Sequence, residues 1–107
     1  MAGSGSAHQS VAPPLPLVRG ELLRNEGLIA GQWTGADSGQ TFEIEDPATQ
    51  LVITEIPRMG EAETLRAIDS ASEALDAWGQ KTAKDRADIL RRWSDLMIEN
   101  KEDLAIL

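Results

Sequence analysis

One stretch, Met59 to Asn100, constrains the fold of this chain more than any other. Leu65, Ile68, Ser72 and Leu75 recur three and four residues apart, with Ala71 and Trp78 at the edge of the stripe. That spacing predicts an amphipathic helix from about Glu61 to Trp78. Gly60 is placed to cap it, Glu61 and Glu63 favour the positive end of its dipole, and Gly79 stands where a left-handed C′ residue is wanted. Thr82-Ala83-Lys84-Asp85 then resembles a capping box opening a second helix. Ile89, Leu90, Trp93, Leu96 and Met97 form its broad apolar face, and Asp88 and Arg92 can pair across one turn on the wet side. Asn100 can close this helix and cap a third, with Asp103 three residues on. Leu104, Ile106 and Leu107 open another apolar pattern, and the sequence stops there. A helix of about eight residues is marginal without packing. The chain therefore reads as cut short, its apolar stripes as half of an interface.

Before the helices the periodicity is that of strands. Leu28 to Trp33 reads as one strand, and Gly35-Ala36-Asp37-Ser38-Gly39 as a dense turn signal. Thr41 to Glu45 alternates, with Phe42 and Ile44 on one face, as a half-buried strand does. These two strands are expected to pair as a hairpin with a loose loop. After the turn Asp46-Pro47-Ala48-Thr49, Leu51 to Ile56 reads as a third strand that Pro57 ends. The expectation is a short antiparallel meander or hairpin, two long amphipathic helices and a truncated third. Residues 1–21 are rich in Gly, Ser, Ala and Pro without either periodicity and read as a disordered tail, leaving 22–107 as the folded part.

Charge and composition exclude several functions. Eighteen acids against ten bases give a net charge of -8. Arg19 and Arg24 balance Glu21 and Glu26, so the excess acid is spread over residues 28–107. Phosphate binding needs clustered Lys and Arg, which argues against nucleic acid and against an anionic membrane surface as partners. There is no cysteine, hence no disulfide, thiolate metal site or cysteine nucleophile in these residues. That agrees with a reducing compartment, and a cytoplasmic location is the expectation. No apolar run approaches the ~18 residues that span a bilayer. No acid precedes Glu21, but Arg19 is the only base there, so a mitochondrial transit function stands as the alternative.

No catalytic constellation is complete. His8, the single histidine, sits in the tail and reads as solvated. Pro13 and Pro16 with Arg19 make one weak proline-rich ligand match, against the reading of a plain tail. Asp37, Glu43, Glu45 and Asp46 lie close in sequence but not at EF-hand spacing; they read as a solvated strand face or, less simply, a cation site. Trp33, Trp78 and Trp93 are the largest apolar surfaces and are expected to pack in a core rather than stack on bases. Arg91 and Arg92 beside Trp93 read as a helix flank or an anion clamp. There is no G-x-G-x-x-G after a strand and no phosphate-loop GK[ST].

A resemblance supplies what these residues do not. Leu28-Ile29-Ala30-Gly31-Gln32-Trp33 resembles the (I)NG(E/Q)W opening of the aldehyde dehydrogenase superfamily, and Asp46-Pro47-Ala48-Thr49 its N-P-A-T-G turn. Leu22-Leu23-Arg24, Met59-Gly60 with Glu63-Thr64, and Thr82 to Arg86 with Ile89-Leu90-Arg91 and Trp93 are most similar to the NAD(P)-dependent succinate-semialdehyde dehydrogenases. The likeness covers about residues 22–107. It departs at Asp46, where the family has Asn, and at Gln50, where it has Gly. If that turn needs a positive φ, Gln50 strains it by about 1 kcal/mol.

The resemblance implies an α/β enzyme with a Rossmann-type cofactor domain, using NAD or NADP, and a homo-oligomer. It implies oxidation of succinate semialdehyde to succinate, with another semialdehyde (glutarate semialdehyde) or an aminoaldehyde as the alternative substrate. A cysteine thiolate attacks the aldehyde, hydride leaves for nicotinamide, and a glutamate-activated water releases the acid. Those family positions all fall after Leu107. No catalytic, cofactor-binding or metal residue is placed on this chain, which alone is expected to be inactive. The rival reading is a free-standing interaction module that offers Trp78 or Trp93 to a partner.

Overall fold

The computed structural model describes residues 10–107. Strands β1 (Gly27–Ile29) and β2 (Gln32–Thr34) pair antiparallel, Leu28 opposite Trp33 and Ile29 opposite Gln32. Ala30 and Gly31 form the two-residue turn between them, at φ 52° and 75°. Left-handed backbone at both central positions matches the twist of two strands and reverses the chain. The stretch expected as a single strand is therefore a complete hairpin.

The partner of the next strand changes accordingly. Strand β3 (Thr41–Glu45) pairs with β4 (Val52–Pro57), not with the first hairpin, and the two hairpins are separate two-stranded sheets. Phe42 lies opposite Ile56, Ile44 opposite Thr54, and Pro57 closes the ladder opposite Thr41. In the β3–β4 turn, Asp46 Oδ1 accepts the Ala48 N–H at 2.8 Å and Asp46 O accepts that of Gln50 at 2.7 Å. Gln50 adopts φ 62°, the positive value that the sequence makes costly there. Gln50→Gly is expected to stabilise the protein by about 0.5–1 kcal/mol, relief of strain exceeding the added freedom of the unfolded chain. A urea midpoint that rises at constant slope would bear this out, and an unchanged or lower one would refute it.

Helix α1 (Glu61–Gln80) starts at its glycine cap, where Glu63 Oε1 accepts the Gly60 N–H at 3.3 Å. Its end differs from expectation. Gly79 stays inside the helix, which runs on to Gln80 without a left-handed residue. Arg86, one turn into the next helix, donates Nη1 to the carbonyls of Trp78, Gly79 and Lys81. A cation already placed among the last carbonyls removes the need for a glycine cap.

Helix α2 (Ala83–Glu99) opens with Thr82 Oγ1 accepting the Asp85 N–H at 3.1 Å. Asp88 pairs with Lys84 at 2.9 Å, not with Arg92. Side chains tilt toward a helix N-terminus, which brings the short Asp88 carboxylate to the preceding turn. Asn100 closes α2 by donating Nδ2 to Leu96 O at 2.8 Å, but its side chain does not cap α3 (Lys101–Ile106).

α1 lies against β1 and α3 against α2. From residue 10 the stretch read as a tail runs beside β4, Val11 forming a parallel bridge to Val52. His8 and the rest of residues 1–9 lie outside the described residues. Val52, 7% exposed, is the one buried apolar side chain among the described residues. The radius of gyration is 18.5 Å, against ~13 Å for a compact domain of this length.

Candidate functional site

Two features stand out: a charged junction between the first hairpin and α1, and the bare apolar faces of the long helices. At the junction Glu63, almost fully buried, accepts the Asp37 N–H on Oε2 at 3.1 Å while holding Gly60 on its other oxygen. Arg66, one turn on, forks onto Asp37, Nη1 to Oδ2 at 2.9 Å and Nη2 to Oδ1 at 2.8 Å. One face of α1 thus fastens the turn after β2 by its backbone and by its side chain.

The Asp37 N–H does most to hold the Glu63 carboxyl below its ordinary value of 4.5, with Glu63's own backbone N–H and that of Gly60 adding to it. The Arg66 fork holds Asp37 below 3.8, and Asp37 in turn raises Arg66. A carboxylate whose value is lowered on folding stabilises the folded state above its unfolded value and loses that contribution as pH falls through the folded one. Stability is therefore expected to be flat from about pH 7 to about pH 5 and to fall below about pH 4.5. Glu63→Gln should flatten part of that acid limb in melts across the range. An identical acid limb in the variant would refute the assignment.

Beside Arg66 opens a shallow cleft of about 420 Å3 lined by Ile29, Gln32, Thr34, Asp69, Ser70 and Glu73. It holds the hydroxyls of Thr34 and Ser70 and the carboxylates of Asp69 and Glu73, with no histidine or cysteine among its lining residues. The acids weighed as a cation site do not converge. Asp37 faces Arg66, Asp46 folds back on its own turn, and no group of three candidate ligands forms among the described residues. A nicotinamide dinucleotide does not fit these residues either. Its pyrophosphate needs open N–H groups at a helix N-terminus. Here the first turns carry Glu61 and Glu63 in α1, Asp85 in α2, and Glu102 and Asp103 in α3.

The tryptophans expected in a core are largely on the surface. Trp93 is 61% exposed, and Trp33 lies open with the Arg24 guanidinium 4.6 Å above its ring. Arg58 covers Phe42 in the same way, at 4.9 Å. Arg91 and Arg92 lie exposed on α2. Leu65, Ile68 and Leu75 of α1, and Ile89, Leu90, Trp93 and Met97 of α2, are also exposed. No helix among the described residues is long and apolar enough to cross a membrane. Contiguous exposed apolar faces of this kind are the mark of an interaction surface.

Arg66 and Arg86 were invisible as structural groups in the sequence, and Asp103 was read there only with the cap of the third helix, because their partners are fixed only by folding. Glu63 carried a signal, standing at the third position of a glycine-capped helix, where a carboxylate reaches back to the cap.

The architecture, two antiparallel hairpins followed by long helices, is that of an α/β fragment. The structure superposes on succinate-semialdehyde dehydrogenase from Burkholderia pseudomallei with a TM-score of 0.82 and 50% identity, over 85% of this chain and 19% of that one. In sequence it is 53% identical over 87 residues to a glutarate-semialdehyde dehydrogenase of Pseudomonas aeruginosa, which spans 81% of this chain and 18% of the relative. It is 45% identical over 86 residues to an NADP(+) succinate-semialdehyde dehydrogenase of Escherichia coli, 80% of this chain and 18% of that enzyme. The sequence profile of the aldehyde dehydrogenase family matches residues 33–107. The chain belongs to the aldehyde dehydrogenase family. It spans about a fifth of the length of the relatives it matches.

Proposed function

We propose that residues 22–107 are the N-terminal section of a larger NAD(P)-dependent dehydrogenase that oxidises succinate semialdehyde to succinate. The observation that carries this reading is the 50% identity to a succinate-semialdehyde dehydrogenase along a shared fold. The exposed stripes of α1 and α2 support it, since a larger enzyme body would cover them. The section itself is structural: it brings no cysteine and no phosphate-loop motif. Nucleophile and cofactor site belong to the remaining body, in a homo-oligomeric enzyme.

A second substrate has its own support. Identity to the glutarate-semialdehyde dehydrogenase is 53%, and the two semialdehydes differ by one methylene. An apolar contact with one methylene discriminates by only about 10- to 200-fold. The test is to express the full-length coding sequence and compare kcat/KM for both semialdehydes with NAD and with NADP. The reading predicts oxidation of succinate semialdehyde at least as efficient as that of glutarate semialdehyde, and no activity from the 107-residue chain. Oxidation by the short chain would overturn the structural role; a preference for glutarate semialdehyde would transfer the proposal to the second substrate.

A further inference from the structure

Residues 10–19 cross the body held at two ends. At one end Ala12 donates its N–H to Val52 O at 2.8 Å, and Val52 donates to Ser10 O at 3.1 Å, a single parallel bridge between Val11 and the start of β4. At the other end the buried carboxylate of Asp103 in α3 takes the Val18 N–H on Oδ1 and the Arg19 N–H on Oδ2, both at 2.8 Å. Both oxygens of one buried acid are thus spent on the backbone of a segment more than eighty residues away in sequence.

Between the anchors the segment stands off the sheet. Pro13, Pro14 and Pro16 have no N–H to give, and Leu17 turns its own back onto Leu15 O at 2.8 Å. A cleft of about 390 Å3, lined by Val11, Leu15, Leu17, Leu23 and Ile53 among others, separates it from β4. From Ala12 to Val18 three prolines fix φ, so the spacer has few conformations to sample. A stiff spacer matched to its span holds the second anchor near its site whenever the first is made, whereas a flexible one does not.

We propose that residues 10–19 are a conformational strap that docks as one unit, so that the Asp103 clasp on α3 governs whether the Val11–Val52 bridge forms on β4. The strap makes its bridge to Val52 depend on its clasp to Asp103, independently of any substrate. The test is amide hydrogen exchange on the protein made from its full-length coding sequence, comparing wild type with Asp103→Ala. The expected result is faster exchange, by about ten-fold or more, at Val18, at Arg19 and equally at Ala12, with the β3–β4 ladder amides unchanged. Faster exchange at Val18 and Arg19 with none at Ala12 would overturn the proposal. Should Asp103→Ala fail to fold, a variant with Pro13, Pro14 and Pro16 all changed to glycine keeps the clasp and softens only the spacer. It should speed exchange at Ala12 while Val18 and Arg19 stay protected; an unchanged Ala12 would overturn the proposal.

Discussion

Trp93→Ser is expected to act with opposite sign in two settings. In the 107-residue chain the Trp93 side chain is mostly in water, on a face shared with Leu90 and Met97. Removing it costs little packing and takes away the largest apolar surface of α2, so the chain should associate less and stay soluble at higher concentration. In a full-length enzyme, where the proposed body covers this face, the same change empties a packed site. There the loss should be about 3–5 kcal/mol, the range for large aromatic truncations in cores. Sedimentation of the short chain and denaturation of the long one test the two arms. A short chain destabilised as much as the long one would mean that α2 completes its own core, and the interaction-module reading would take over.

Arg86→Ala carries the next largest effect. The guanidinium reaches back across the two-residue link Lys81-Thr82 to three carbonyls at the C-terminal end of α1. Those carbonyls are the negative end of the helix dipole, and of the three only Trp78 O also takes a backbone N–H, that of Lys81 at 3.2 Å. Without Arg86 the carbonyls of Gly79 and Lys81 are left to water, and the angle between α1 and α2 loses its cross-link. A loss of about 1.5–2 kcal/mol is expected, the lower part of the range for hydrogen bonds to charged groups because the site is half-open to solvent. Arg86→Lys should restore a minor part, since an ammonium brings the charge but not the planar fork. The midpoint of urea denaturation at constant slope reads the difference; a change within ~0.3 kcal/mol would reduce the contact to a surface ornament.

How much of this was legible follows from the range of each interaction. The helices were legible because their signals are local: the three-and-four spacing of Leu65, Ile68 and Leu75, and the threonine ahead of α2. So was the cost at Gln50, whose φ of 62° comes from a tight turn. The first hairpin was misread because Ala30-Gly31 is a less emphatic turn signal than Asn-Gly, while Leu28 to Trp33 is apolar enough to pass for one strand. The end of α1 was misread because the expected local glycine cap is replaced by Arg86, whose reach depends on the angle between two helices. As for the candidate site, the sequence showed no cysteine and no phosphate-loop motif, and the resemblance named the family's chemistry.

By itself, then, the sequence determined the two long helices, the acidic charge and the family, all properties of neighbouring residues or of composition. Tertiary structure alone decided which strand pairs with which. It also decided that Asp103 takes the backbone of Val18 and Arg19, and that the two apolar stripes of Met59 to Asn100 stay bare. The physical reason is one of distance: periodicity fixes which face of a helix is apolar, but only the packing of remote segments fixes whether anything covers it.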